Sequence, residues 1–438
     1  MAKRLLLALA VFTLIVGARQ RAVRPINAPQ PGVPTFSNEV VRIFQQHCQS
    51  CHRDGDIAPF ALTTYEEARP WAQAIKFMTS TRRMPPWKPV AGCGDFADER
   101  RLTDAEIETI AKWVDGGAPE GNRAQLPAPL PHNSAWTLGE PDAIFSYPVA
   151  YMPPASGDTY RCFTVPTNLA QDAYVSGIDV QPGDRGSVHH VIAFIDPNGA
   201  SVALDEADPA PGYSCFGDPG FELTADATLG GWAPGYRAFK LPPEVALRLP
   251  ANSRIVLQVH YSSHTGSPHE DQTRLGIYYA QAQPRQLLRI IPVVNNTFEI
   301  PAGASDYRVT AGIPVVPFPV HVWVIAPHMH LLGRSMKVET TAPGGATACL
   351  INIDDWDFNW QAMYRYKEPI AIPAWSSVSL TATYDNSADN FRNPNHPPKA
   401  VRWGEATTDE MCIAFLGVTI DGENLANGMA DASALVSR

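Results

Sequence analysis

Residues 254–264 read RIVLQVHYSSH. Ile255, Leu257 and Val259 alternate with Val256, Gln258 and His260, a period of two rather than 3.6, so the stretch is a strand with differently filled faces. Runs of the same kind lie on both sides of it: AYVSGIDV at 173–180, RLGIYYAQ at 274–281, HVWVIAPHMH at 321–330, SVSLTATYD at 377–385 and CIAFLGVTI at 412–420. Gly, Pro, Asn and Asp separate them, the pattern of antiparallel sheets packed as sandwiches. The β-rich region is long for one sandwich. A split near Pro284, ahead of RQLLRIIPVV, gives units at 145–286 and 287–432.

The front of the chain has a different period. FSNEVVRIFQQHC (36–48) predicts a helix with Ser37 as N-cap and Val40, Val41 and Phe44 on its inner face. TYEEARPWAQAIKFMTS (64–80) predicts a second, with Trp71, Ile75 and Met78 facing the core. A third starts at TDAE, where Thr103 and Glu106 make a capping box, and stops at Gly116 and Gly117. After the first helix comes QQHCQSCHRDG (45–55). A C-x-x-C-H pentad serves covalent heme attachment: Cys48 and Cys51 give thioether links and His52 an iron ligand. TRRMPPW (81–87) offers Met84 as the second axial ligand, with Met78 the competitor whose helical phase suits packing instead. Three short helices around this pentad resemble a small c-type cytochrome, the kind of module fused to many secreted bacterial enzymes; it spans 35–121. GNRAQLPAPLPHNSA opens a Pro-rich linker at 122–144.

The chain begins MAKRLLLALAVFTLIVGARQ: Lys3 and Arg4, an apolar run from Leu5 to Val16, then Gly17 and Ala18. This reads as a signal peptide, residues 1–18, for export to the periplasm or the outside, with no membrane span after cleavage. A net charge of −10 argues against nucleic acid as a partner. Of seven cysteines, five remain once the heme pair is set aside: Cys93, Cys162, Cys215, Cys349 and Cys412. In an oxidising compartment four of them form two bridges.

Donor residues gather in the β region. GSVHHVIAFI holds His189 and His190, RIVLQVHY holds His260, VIAPHMHLLG holds His328 and His330 two apart on one strand face, and TTDEMCIAF holds Met411. A lone His on an apolar strand is more often a hydrogen-bonded core residue than a ligand, and a lone Met is usually packing, so the reading rests on the set. Adjacent residues such as His189 and His190 point to opposite faces unless the backbone is irregular there. Imidazole with an added thioether favours Cu(I) over zinc.

The order His-His, LQVHY, His-x-His, DEMC is similar to that of the copper type II ascorbate-dependent monooxygenases, the family of peptidylglycine alpha-hydroxylating monooxygenase and dopamine beta-monooxygenase. The resemblance spans roughly 145–425. It implies a mainly β fold: two tandem jelly-roll β-sandwich domains behind the small all-α cytochrome c domain. It also implies two copper ions, one on His189, His190 and His260 for electron transfer, the other on His328, His330 and Met411 for oxygen. The activity implied is hydroxylation of a C–H bond of a small organic substrate by O2, with electrons from ascorbate or a periplasmic redox protein. The heme, by its adjacency, would relay them. A non-catalytic electron-transfer or storage protein, and a copper dehydrogenase with heme as acceptor, are the alternatives. The resemblance implies a Cys162–Cys215 bridge; Cys412, whose family partner is missing here, is expected to pair with Cys349. Peptide-amidating members clamp a substrate carboxylate with an Arg, an Asn and a Tyr where this chain has Ala326, Ile413 and Phe415, which argues against peptide amidation. Asp354, Asp355 and Asp357 read as solvated or turn-forming acids, with a calcium site as the alternative. His132, His264, His269, His321 and His396 read as structural or surface residues, and His47 has no assignment.

Overall fold

The computed structural model of the protein describes residues 32–54, 56, 58–130, 136–224, 226–233, 236–263 and 269–425. Residues 1–18, the expected signal peptide, and His132 and His264 lie outside the described residues. Among the described residues one hydrophobic core lies among the helices and a large one in each β unit, with a small fourth cluster around Cys162, Phe194, Tyr213, Cys215 and Val256.

The helical core is built around Phe36, Val40, Val41, Phe44, Ile110 and Trp113. A single π turn, Phe36–Val40, runs into the helix Val41–His47. Its N-cap is Thr35, two residues before the expected Ser37, which is itself buried; the Glu39 carboxylate accepts from the Thr35 N–H at 2.7 Å. Thr103 and Glu106 form the capping box of Asp104–Asp115, which ends at Gly116. The middle helix departs from expectation. Tyr65–Ala68 and Ala72–Ser80 are joined by the 3₁₀ turn Arg69–Trp71 at Pro70. A 3₁₀ turn advances about 120° per residue, so the phase slips there. Ala68, Ala72, Ile75 and Thr79 are buried, whereas Trp71 is 43% exposed and Met78 only half-buried.

In the first β unit, a sheet ordered Ala143–Ser146, Arg274–Tyr279, Ala173–Gln181, Val245–Leu249, Gln286–Leu287 faces one ordered Tyr213–Ser214, Gly157–Pro166, Arg254–Ser263, Val188–Asp196, Thr228–Trp232. Inward residues of both, among them Val175, Ile178, Val191, Leu257, Val259 and Ile277, fill the space between. In the second unit, Arg289–Asn295, Cys412–Ile420, Val320–His328 and Tyr364–Ile372 face Tyr307–Val316, Ser376–Tyr384, Gly333–Thr341 and Thr347–Ile353. Among the described residues the strand pairs named here are antiparallel except Gln286–Leu287 with Val245–Leu249. The chain passes between units at Leu288. Beside it the Arg289 guanidinium and Glu423 carboxylate pair in the interior (3.0 and 2.7 Å), and Glu423 also accepts the Leu287 N–H. Breaking one half of such a buried pair costs about 3–5 kcal/mol.

The loop between the second and third helical stretches leaves its own module and packs on the second β unit. Val90 N–H donates to Asn352 O and Ala97 N–H to Arg365 O, both at 2.8 Å, while Trp87 and Phe96 join that unit's core. Cys93 is bridged to Cys349 (Cα–Cα 5.2 Å). The expected Cys412–Cys349 pair is therefore corrected: Cys412 is a buried free thiol in the sheet opposite the Cys349 strand. Cys93→Ser is expected to destabilise the protein by about 2–4 kcal/mol. It should also expose the 81–101 loop to limited proteolysis, and a cleavage pattern unchanged from wild type would show that the loop stays docked without its covalent tie.

Candidate metal centres

His189 and His190 lie at the start of the strand Val188–Asp196, which pairs with Arg254–Ser263. Val188 is opposite Tyr261 and His190 opposite His260, so His189 is the extra residue of a bulge. The bulge is the irregularity that two adjacent histidines need in order to share a face. The Nδ1 atoms of His189 and His190 are 3.2 Å apart and those of His190 and His260 3.4 Å. Nitrogens bound to one ion at about 2.0–2.1 Å sit about 3 Å from each other, so the spacing suits a shared cation. Among the described residues this is the one group of three or more His, Cys, Asp or Glu close enough to do so. Asp354 and Asp355 are exposed, and Asp355 and Asp357 face Lys88 Nζ at 2.9 and 3.8 Å rather than forming a cation site.

Two residues not singled out from the sequence organise this cluster. Asp158 accepts from His260 Nε2 at 3.1 Å, which reserves Nδ1 for the cluster and holds the Asp158 carboxyl down at about 2. Tyr160 stacks on the His260 ring, centroids 4.1 Å apart and planes within 3°. Gln258, on the same strand face as His260, is fully buried against the Cys162–Cys215 disulfide (Cα–Cα 5.8 Å). Asp158→Ala is expected to weaken copper binding here by roughly 10–100-fold, the usual effect of losing an outer carboxylate partner. A copper titration that matches wild type would show that the contact with Asp158 does not orient the ring.

In the second β unit the strand Val320–His328 ends at His328, so His330 lies just past it rather than on it. The two rings still meet, centroids 5.1 Å apart. What holds His330 is Glu410, fully buried, whose carboxylate accepts the N–H groups of His330 (2.9 Å), Leu332 (2.6 Å) and Met411 (3.1 Å). One side chain thereby fastens Met411, itself buried, to the backbone of His330. Burial pushes the Glu410 carboxyl up to about 8, against the pull of those donors. His330 Nδ1 contacts Asp409 O at 3.2 Å, leaving Nε2 as its donor atom. The strand register sets Ile413 opposite His328 and Phe415 opposite Ala326, so these neighbours on the sheet are apolar.

Burial pushes His328 down to about 3 and lowers His330 as well; His190 is lowered by burial and by the neighbouring His260, His189 and His328. Neutral imidazoles keep the lone pairs that a metal requires. The influence of His328 on His190 places the two clusters within electrostatic reach. Phe358 joins them physically: its ring centroid is 6.3 Å from that of His189 and 5.9 Å from that of His330.

Among the helices, Cys48 and Cys51 are unpaired, although four other cysteines of the chain are bridged. The N–H groups of Cys51 and His52 both return to Cys48 O, at 3.1 and 2.9 Å, one tight turn. His52 Nδ1 is held by Phe60 O at 3.0 Å, so Nε2 is free to ligate. Phe60 and Trp71 stack at 4.3 Å beside it. Unpaired thiols, an oriented imidazole and an exposed Trp suit an apolar macrocycle. Met84 is 38% exposed, and its N–H bonds to Met78 O at 3.1 Å, so both candidate thioethers arise from one turn. His47 is buried between Arg100 O and Glu106, each at 3.1 Å, and His321 pairs with Asp421 at 2.6 Å.

Residues 287–418 match the family model described as the C-terminal domain of copper type II ascorbate-dependent monooxygenases. That span contains His328, His330 and Met411 but not His189, His190 or His260. The chain is 25% identical over 287 residues to human DBH-like monooxygenase protein 1 and 25% over 289 to the mouse protein of that name, covering 60% of this chain and 44% of each relative. It thus spans less than half the length of the curated relatives it matches. These matches support a copper monooxygenase family. Among solved structures, the infectious bursal disease virus VP2 subviral particle aligns over 69% of this chain and 77% of that one, with 10% identity and a TM-score of 0.20, too loose to carry an argument.

Proposed function

We propose that this protein is a secreted or periplasmic copper monooxygenase that uses O2 to hydroxylate a C–H bond of a small organic substrate, with electrons delivered through a heme on Cys48, Cys51 and His52. The observation that carries this reading is Phe358, one side chain in ring contact with both imidazole clusters. In this reading residues 35–121 are the cytochrome module, 122–144 a linker, and 145–286 and 287–432 two jelly rolls with one copper each. The disulfides Cys93–Cys349 and Cys162–Cys215 support an oxidising compartment.

Copper, when bound, supplies one-electron chemistry with O2 that places one oxygen atom in the product and the other in water, for two electrons from outside. The protein's part follows from the donors. Three nitrogens from His189, His190 and His260 suit an ion that changes oxidation state, and the added sulfur of Met411 beside His328 and His330 favours Cu(I). Asp158 fixes one ring and Glu410 fixes the loop that carries another. Phe358 lies between the clusters, with its ring near both His189 and His330. Ala326, Ile413 and Phe415 offer a substrate no charge, so an apolar or weakly polar C–H substrate fits better than a carboxylate.

The test is reoxidation of the pre-reduced heme on mixing with O2, in copper-loaded and copper-stripped protein. Copper is expected to speed it at least tenfold, about 1.4 kcal/mol of barrier. Equal rates would remove the heme from the oxygen pathway and leave storage or a separate reductant. Hydroxylated product formed in step with O2 uptake separates a monooxygenase from a dehydrogenase.

A further inference from the structure

We infer that the buried donors where the helical module meets the β units receive the propionate carboxylates of the heme, and that Arg100 and Trp360 are the principal partners. The inference rests on the reading of Cys48, Cys51 and His52 as heme anchors, and extends it to residues outside the pentad.

Three buried donors in this region have no acceptor among the described residues: Trp87 Nε1, Trp360 Nε1 and the Tyr364 hydroxyl, the last on a side chain only 2% exposed. Each such orphan costs about 1–3 kcal/mol if left without a partner. They are neighbours. The rings of Trp87 and Tyr364 are 5.4 Å apart, and the Arg100 guanidinium lies 5.2 Å over the Trp360 ring. Arg100 is 8% exposed, with Cys51 and Tyr364 within electrostatic reach. Its backbone carbonyl contacts His47, the residue before Cys48, at 3.1 Å, which ties the cluster to the pentad.

Charge points the same way. Arg237 acts on Arg100, and Arg237 and Arg365 both face Asp98, at 3.9 and 3.1 Å. Three guanidiniums, one from each part of the fold, thus converge around that carboxylate. A desolvated guanidinium with aromatic N–H and hydroxyl donors beside it is a carboxylate receptor. A heme c brings two carboxylates that its thioether links do not consume. The Trp360 segment continues into Gln361 and Phe358, whose contacts reach His328, His189 and His330. The same cradle would therefore seat the heme against the element that touches both imidazole clusters.

The test uses the heme-loaded, copper-loaded protein and two variants, Arg100→Gln and Trp360→Phe, the second removing an N–H while keeping an aromatic ring. Heme and copper content should match wild type. The heme reduction potential should shift down in both, since losing a positive charge or a donor to the propionate favours the ferric state. Redox-difference infrared spectra should show displaced propionate carboxylate bands. Unchanged potential and bands in both variants, with heme present, would overturn this inference alone. If Arg100→Gln does not fold, Trp360→Phe decides by the same criteria. Wild-type protein with no covalent heme in a pyridine hemochrome assay would overturn the heme reading itself.

Discussion

His190→Ala is expected to leave the protein with one tightly held copper ion instead of two and to reduce turnover to near background. His190 Nδ1 is the atom common to both short contacts of the first cluster, 3.2 Å from His189 and 3.4 Å from His260. Without it the remaining rings have no third nitrogen, and the ion would have to take water in its place. Losing an outer partner costs 10–100-fold in affinity, so losing a ligand should cost more than about 100-fold. A comparable loss in the barrier, about 4 kcal/mol, is roughly a thousandfold in rate. Copper per chain after dialysis against a chelator and oxygen uptake are the measurements. Two ions and wild-type uptake would show that the cluster is not a metal site. The second centre should keep its ion, because Glu410, His328, His330 and Met411 belong to the other β unit's fold.

Glu410→Ala carries the largest expected effect on stability. The side chain is fully buried and takes three backbone N–H groups, so its removal leaves three buried donors without an acceptor. At about 1–3 kcal/mol each the loss is roughly 3–9 kcal/mol, or on the order of 10 °C in melting temperature. The loop holding His330 and the start of the Met411 strand should then move apart, and the second copper should be lost while the His189 cluster keeps its own. Glu410→Gln, which retains one carbonyl acceptor, should fall between. A melting curve unchanged in Glu410→Ala would mean that other groups hold the loop.

Some of the site was legible because its signals are local. The donors His189, His190, His260, His328, His330 and Met411 could be picked out by residue chemistry, and alternation in RIVLQVHY placed His260 on a strand. That two adjacent histidines require an irregular backbone was also readable; the bulge at His189 supplies it. Asp158, Glu410 and Phe358 were not legible. Asp158 is one acid in a strand, Glu410 one of two in TTDEMC, and Phe358 sits in DDWDFNWQAMY, a stretch conspicuous for its acids. Nothing in the local pattern says that Asp158 will meet a ring 102 residues away, or that Phe358 will lie between His189 and His330.

The same division runs through the fold. The sequence by itself determined the helical front, the antiparallel β remainder, the capping box at Thr103 and the donor types on offer, since each follows from spacing or from side-chain chemistry within a few residues. Tertiary structure alone decided that Pro70 turns Trp71 outward, that Cys349 pairs with Cys93 and not Cys412, and that the loop carrying Trp87 and Phe96 packs on the second β unit. Those outcomes depend on which distant surfaces exclude water together and which buried polar atoms find partners. Both are properties of the packed chain that no short window of residues contains.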